Sequence, residues 1–269
     1  MADKKNEKKI KKDTESKEKK AKFFQSMIGA NLSFAGSEAY KRLRTNVLFS
    51  FADGKSSHVI GITSPDMQNG KSITSINLAY SMAELGKNVL LIDGDLRRPT
   101  AHDRLDLELS PGLTNLLSGV SLKENESCFK EFKSGDYSVT VLTSGDFVPN
   151  PAELLNSERM EELVEKLRTI YDFIIIDLPP VSAVADATIA SRLTDGMVVV
   201  IRSGNCDSEA LDSCFKRLEV SGTRILGVLI NGVAQQKSKK YYKYKYSNKN
   251  SYYYKNSYYY KNYENKGYY

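Results

Sequence analysis

Three short stretches of the chain carry residue types that together could hold a nucleotide triphosphate. The first is Ser64-Pro65-Asp66-Met67-Gln68-Asn69-Gly70-Lys71-Ser72, which follows the apolar run His58–Thr63 and precedes a helical pattern. Strand, loop, Gly-Lys-Ser and helix is the order that a P-loop needs. Backbone N–H groups of Asn69, Gly70, Lys71, Ser72 and Ile73 would then point at phosphate oxygens from the start of the helix. Lys71 would bring a point charge to the β- and γ-phosphates, and the Ser72 hydroxyl would hold Mg²⁺. The loop departs from GxxxxGK[ST] in having Pro65 where the first Gly belongs. Met67 and Gln68 stand at positions that are often small.

The other two stretches supply carboxylates. Val89–Ile92 runs into Asp93-Gly94-Asp95-Leu96-Arg97-Arg98-Pro99, and Phe173–Ile176 runs into Asp177-Leu178-Pro179-Pro180. Open parallel sheets bind ligands at the carboxyl ends of their strands, so Lys71, Asp93, Asp95 and Asp177 should converge on one rim. Mg²⁺ takes one or two carboxylates together with substrate phosphates. A plain turn is the alternative for Asp93-Gly94-Asp95, since Asp-Gly is common in turns.

The elements that must position these residues are legible as a pattern. Apolar runs rich in Val and Ile fall at 58–63, 88–93, 139–143, 173–177, 197–201 and 225–230, with helical spacing near 37–50, 71–85, 152–170, 184–193 and 208–221. Ser37 is the expected N-cap of the first helix. Continuous apolar strands alternating with helices predict an α/β three-layer P-loop NTPase sandwich with a mainly parallel sheet. The domain reading is a basic N-terminal segment at 1–30, a nucleotide-binding domain at 31–235 and a flexible Tyr/Lys-rich tail at 236–269.

Charge separates the ends from the middle. Residues 1–22 carry a formal +5 and residues 237–269 a formal +8, so a total of +6 leaves −7 on residues 23–236. Basic ends suggest an anionic surface or nucleic acid, or simple solvation of a chain with too little apolar content to fold. The last 33 residues hold 13 Tyr and nine Lys with no aliphatic side chain. Cys128, Cys206 and Cys214 have no paired spacing, which fits a reducing compartment. His58 and His102 are too few and too scattered for zinc. The charged N-terminus is not a secretory signal, and the longest apolar runs are strand-sized.

Here the chain resembles a known family, the bacterial tyrosine kinases of capsule and exopolysaccharide assembly, in the form of the separate cytoplasmic subunit of Gram-positive bacteria. The motifs that carry the resemblance are Gly70-Lys71-Ser72, the second Walker element Val89–Pro99, the Walker B run Ile174–Pro180, Ser37-Glu38-Ala39-Tyr40, Leu43-Arg44-Thr45-Asn46, Pro149-Asn150-Pro151, Gly227-Val228-Leu229-Ile230-Asn231 and the Tyr cluster. The resemblance implies an ATP- and Mg²⁺-dependent protein-tyrosine kinase. Lys71 and Ser72 would bind phosphate and metal, Asp95 and Asp177 would complete the metal site, and Asp93 would be the base. Asn231 would contact the adenine side; a turn residue at a strand end is the alternative. The phosphoacceptors would be Tyr241, Tyr242, Tyr244, Tyr246, Tyr252, Tyr253, Tyr254, Tyr258, Tyr259, Tyr260, Tyr263, Tyr268 and Tyr269.

Glu38, Lys41 and Arg44 occupy the family's Glu-x-x-Arg-x-x-Arg positions, used there in a ring-shaped homo-oligomer, with Lys41 lacking the planar fork of Arg. The family implies a transmembrane polysaccharide co-polymerase-type activator, a cognate tyrosine phosphatase and polysaccharide-precursor enzymes as substrates, with no nucleic acid. It also implies a cytoplasmic location, with recruitment to the inner membrane face by the partner. Two other readings stay open. One is a non-kinase ATPase switch of the cell-division and partition type, which many times carries a signature Lys where this chain has Asp66. The other is a binding module whose interleaved Tyr and Lys stack on bases or sugars.

Overall fold

The computed structural model describes residues 23–51, 54–119 and 126–233. Thirteen expected phosphoacceptor tyrosines, Tyr241 to Tyr269, and the tail that bears them lie outside the described residues, as do residues 1–22.

Seven strands form one sheet in the order β3-β4-β2-β5-β1-β6-β7. They are β1 His58–Thr63, β2 Val89–Asp93, β3 Phe129–Ser134, β4 Tyr137–Leu142, β5 Phe173–Asp177, β6 Gly196–Arg202 and β7 Ile225–Asn231. All neighbours run parallel except β3, which pairs antiparallel with β4. The helices are α1 Phe34–Ser50, α2 Lys71–Ala83, α3 Ala101–Leu105, α4 Leu113–Leu117, α5 Pro151–Leu155, α6 Glu158–Arg168, α7 Asp186–Ala190 and α8 Ser208–Val220.

The inner strands β1, β2 and β5 are buried at every position. Their side chains alternate between two cores. Ile60, Ile62, Leu91 and Ile175 pack under α1 and α2, while Val59, Leu90, Ile92, Ile174 and Ile176 pack under α5, α6 and α8. Each such side chain, fully buried, contributes about 1.5–3 kcal/mol against the entropy of ordering the chain. Covering both faces with helices is what lets these strands read as unbroken apolar runs.

The structure differs from the sequence expectation at several elements. The first helix begins earlier, and its N-cap is Ser33, whose side chain accepts from Gly36 N–H, so Ser37 lies inside the helix. The single helix expected at 152–170 is two, α5 and α6, because Ser157 caps a new helix by accepting from Met160 N–H. Strand β3 and the short helices α3 and α4 were not expected. Residues 23–30, assigned from sequence to the N-terminal segment, include Ile28, which is only 2% exposed. Asn77 of α2 holds this stretch from both sides, accepting from Gly29 N–H at 2.9 Å and donating to Met27 C=O at 2.9 Å. Ala30 N–H adds a bond to Ser134 Oγ at 3.0 Å.

Candidate active site

The phosphate loop joins β1 to α2, so its end is set by the helix start. Gly70 is the N-cap of α2 with φ +91, in the left-handed region that glycine reaches without strain. A side chain there would also collide with Asn231, whose Nδ2 would lie 2.5 Å from the added Cβ. Lys71 and Ser72 follow as the first two residues of the helix, where unsatisfied N–H groups favour anions. Gln68, at a loop position that is often small, takes φ +64, a conformation costly for a side chain with a Cβ.

Asn69 is fully buried and its side chain serves the loop itself. Its Oδ1 accepts from Arg202 N–H at 2.8 Å, and its Nδ2 donates to Asp66 C=O at 2.9 Å. Asn231 at the end of β7 donates from Nδ2 to Asn69 C=O at 3.0 Å and to Thr74 Oγ1 at 3.3 Å. Both residues therefore fasten the loop to the β6–β7 edge of the sheet, a task the sequence did not suggest for either. Asn69 has only its backbone to offer a phosphate.

The carboxylates gather as the strand ends require. Asp93 and Asp177 are register partners on β2 and β5, 0% and 1% exposed. Gly94 N–H donates to Asp177 C=O at 2.8 Å, and any Cβ at Gly94 would press on Ile176 and that carbonyl at 3.0–3.1 Å, so glycine permits the approach. Asp93 Oδ2 accepts from Thr100 N–H at 3.1 Å and Ala101 N–H at 3.0 Å, and Oδ1 accepts from Asp95 N–H at 3.3 Å. Asp177 Oδ1 accepts from Ser75 Oγ at 3.2 Å. Asp95 is half-buried and accepts from Arg98 N–H at 3.1 Å.

Burial and mutual repulsion decide the charge of this group. Burial, then the charge of Asp177, pushes the Asp93 carboxyl well above the usual range. Burial also raises Asp177, against the pull of Lys71, a hydrogen bond from Ser72 and the charge of Arg104. Asp95 is raised by burial and pulled back by Lys71. Lys71 thus faces Asp95 and Asp177 together. Burial and mutual repulsion oppose ionising these carboxyls together, which suits a site completed by a divalent cation. Among the described residues no three His, Cys, Asp or Glu side chains form an all-protein metal cage. The donor set of one hydroxyl and two carboxylates suits Mg²⁺, which takes the rest of its shell from phosphates and water.

Sequence reasoning missed a second ring of residues around the rim. Thr100 donates from Oγ1 to Ser72 Oγ at 3.0 Å, and Arg104 Nε donates to Thr100 Oγ1 at 3.2 Å. Burial lowers the Arg104 guanidinium while Asp177 and Asp93 hold it up, so this side chain faces the same carboxylates. Arg97 forms a two-point bond to the buried Asp186 at 2.8 and 3.1 Å, fixing the Arg97–Arg98 turn against α7. The Arg-rich second Walker element was the available signal for Arg97; nothing in the spacing pointed to Thr100 or Arg104.

The residues expected to serve a ring behave differently from one another. Glu38 and Lys41 pair with each other at 3.0 Å on the open face of α1. Arg44 turns inward, donating to Ser81 C=O at 2.5 Å and lying 3.5 Å from Glu84, with its side chain 12% exposed.

A family described as an AAA domain matches residues 57–221. The tyrosine-protein kinase YwqD of Bacillus subtilis is 42% identical over 205 residues, covering 76% of this chain and 84% of that protein. The putative tyrosine-protein kinase CapB of Staphylococcus aureus is 34% identical over 208 residues, covering 77% of this chain and 89% of that protein. The solved kinase domain of the Escherichia coli tyrosine kinase ETK superposes with a TM-score of 0.70 at 33% identity, covering 78% of this chain and 81% of that one.

Proposed function

The chain belongs to the bacterial tyrosine-protein kinases, and from that premise we propose that it transfers the γ-phosphoryl group of ATP to tyrosines of its own C-terminal cluster, on a neighbouring subunit. The observation that carries the reading is that the start of α2 meets the strand-end carboxylates: Ser75 Oγ donates to Asp177 at 3.2 Å, and Thr100 bonds both Ser72 Oγ and Asp93 Oδ2. Phosphoryl transfer needs mainly positioning and neutralised charge, and this set offers both.

In this reading the N–H groups of residues 69–73 and the Lys71 ammonium hold the phosphates. Mg²⁺, held by Ser72, Asp95 and Asp177, would neutralise the β- and γ-phosphates and favour the ionised state of the neighbouring carboxylates. The acceptor tyrosine oxygen bonds to the γ-phosphorus, the bond from that phosphorus to the β–γ bridging oxygen breaks, and ADP leaves with the electron pair. The phenolic proton passes to Asp93. Its Oδ1, with the long 3.3 Å bond from Asp95 N–H, is the oxygen assigned to that proton. Asp93 is 0% exposed, so it must become accessible when the acceptor enters.

The acceptors we assign are the tyrosines from Tyr241 to Tyr269, embedded in a segment of formal +8 beside a body of −7. Each phosphotyrosine adds about −1.5 to −2, so roughly five would cancel the charge of the tail and loosen the oligomer. A membrane-bound polysaccharide co-polymerase subunit is the activator we assign, a tyrosine phosphatase the opposing enzyme, and capsule or exopolysaccharide synthesis the regulated process. No helix among the described residues is long and apolar enough to cross a membrane.

The test is incubation of the full chain with ATP, Mg²⁺ and the cytoplasmic end of the activator, followed by mapping of phosphate by mass spectrometry. Phosphotyrosine between Tyr241 and Tyr269 that disappears in Lys71→Met is the expected result. Phosphate release with no phosphotyrosine would replace this reading with an ATPase switch.

A further inference from the structure

A cation–π contact and two hydrogen bonds lead from the N-terminal edge of the body to Ser72, the serine assigned to the metal. Phe24 lies against Arg104, whose guanidinium carbon is 4.6 Å from the ring centroid. Phe24 is three residues before Met27, where Asn77 bolts the segment to α2. Arg104 Nε donates to Thr100 Oγ1 at 3.2 Å, and Thr100 Oγ1 donates to Ser72 Oγ at 3.0 Å. Thr100 N–H meanwhile donates to Asp93 Oδ2 at 3.1 Å. One residue therefore touches both the hydroxyl and the carboxylate that the proposed reaction uses.

The direction of this chain follows from donor chemistry. Arginine has no acceptor, so Thr100 must accept from Arg104 with its oxygen. The single Thr100 proton is then free to go to Ser72. Asp177, beside it, is held from the same helix by Ser75 Oγ at 3.2 Å. A Ser72 oxygen that accepts from Thr100 has its remaining lone pair set in a defined direction. That lone pair is what a hard cation needs.

We propose that Arg104 is a positioning residue for the metal site, orienting Ser72 through Thr100, and that Phe24 pins Arg104 in that role so that the N-terminal segment sets the affinity for Mg²⁺-nucleotide. The proposal rests on the assignment of Ser72 to the metal. It makes the entry of the polypeptide into the body, rather than the phosphate loop, the place where metal affinity is adjusted. A partner that drew Phe24 off the guanidinium would weaken metal binding without touching the loop.

The experiment titrates Mg²⁺ against full-length protein carrying a fluorescent ADP analogue, and measures binding of the same analogue without metal. Arg104→Ala and Thr100→Val should each raise the half-saturating Mg²⁺ concentration about 10-fold, the scale of losses when partners of metal ligands are removed. Metal-free affinity should stay within about twofold, since the N–H groups that hold phosphate are unchanged. Arg104→Lys should recover part of the loss, because it keeps a donor but not the planar fork. Phe24→Ala should shift the requirement by about twofold to fivefold, the scale of one cation–π contact.

An unchanged Mg²⁺ requirement in Arg104→Ala and Thr100→Val overturns the proposal. So does an equal loss of metal-free binding, which would mark general damage to the fold. A wild-type chain that binds ADP without any dependence on Mg²⁺ overturns it as well. A wild-type chain with the expected metal linkage but no phosphotyrosine would sink the kinase reading and leave this one standing.

Discussion

At the carboxyl end of the sheet, Asp93 and Asp177 lie side by side, 0% and 1% exposed, and both are pushed up by burial. At the amino end, Asp195 precedes β6 with its side chain only 10% exposed, yet its carboxyl moves the other way. Burial acts to raise it, but hydrogen bonds from Arg168 at 2.7 Å, Lys55 at 2.8 Å and Val59 N–H at 2.7 Å pull it down to about 2. The residue type and the strand-end setting are the same. The difference lies in the donors, because each oxygen of Asp195 meets a cation while the Asp93–Asp177 pair meets backbone N–H groups and hydroxyls. One end of the sheet is closed electrostatically and stabilises the fold. The other has no ion pair of this kind on its two buried carboxyls and is open to a ligand that brings positive charge.

The comparison is most sharply tested at Asp93. Asp93→Asn should lower the initial rate of phosphotyrosine formation about 10²- to 10⁴-fold, the usual share of a general base. It should also raise the thermal midpoint of nucleotide-free protein, because burying this ionisable carboxyl, with Asp177 beside it, opposes folding. A variant that loses both activity and stability would break the contrast. Asp195→Asn should do the reverse, costing about 1–3 kcal/mol in chemical denaturation for the lost charged hydrogen bonds while the kinase rate holds. The folded carboxyl sits at about 2 against an ordinary 3.8. Its contribution is therefore complete above about pH 4 and fades as pH falls from there through about 2. Wild-type and Asp195→Asn denaturation midpoints should converge over that window; a gap that persists below it would contradict the assignment. The smallest effect belongs to the loop. Gln68→Gly relieves the left-handed backbone at φ +64 but loosens the unfolded chain, so the net gain should stay below about 1 kcal/mol. A clear loss of stability there would mean that the Gln68 side chain supports the loop.

Much of the fold was legible because β1, β2 and β5 are buried on both faces, and such strands read as continuous Val and Ile runs whatever surrounds them. Strand β3 was not, since Phe129-Lys130-Glu131-Phe132-Lys133-Ser134 is a half-exposed edge with a polar face. Helices α3 and α4 are each five residues long, too short for a period to show. The break between α5 and α6 did have a signal, Asn156-Ser157 ahead of acidic residues, but an unbroken helical spacing on either side masked it.

The sequence by itself determined which residues reach the rim. Gly70-Lys71-Ser72 follows a buried strand, and Asp93, Asp95 and Asp177 follow two more, so parallel pairing forces them to one end. Only the tertiary structure decided what each of them does there. It spent the Asn69 side chain and Asn231 on holding the loop, turned Arg44 inward onto α2, and placed Thr100 and Arg104 behind Ser72. The physical reason is range. Burial and strand order are written in local hydrophobic pattern, whereas a hydrogen bond between Thr100 and Ser72, or a ring of Phe24 over Arg104, depends on angles and distances between segments that no local pattern encodes.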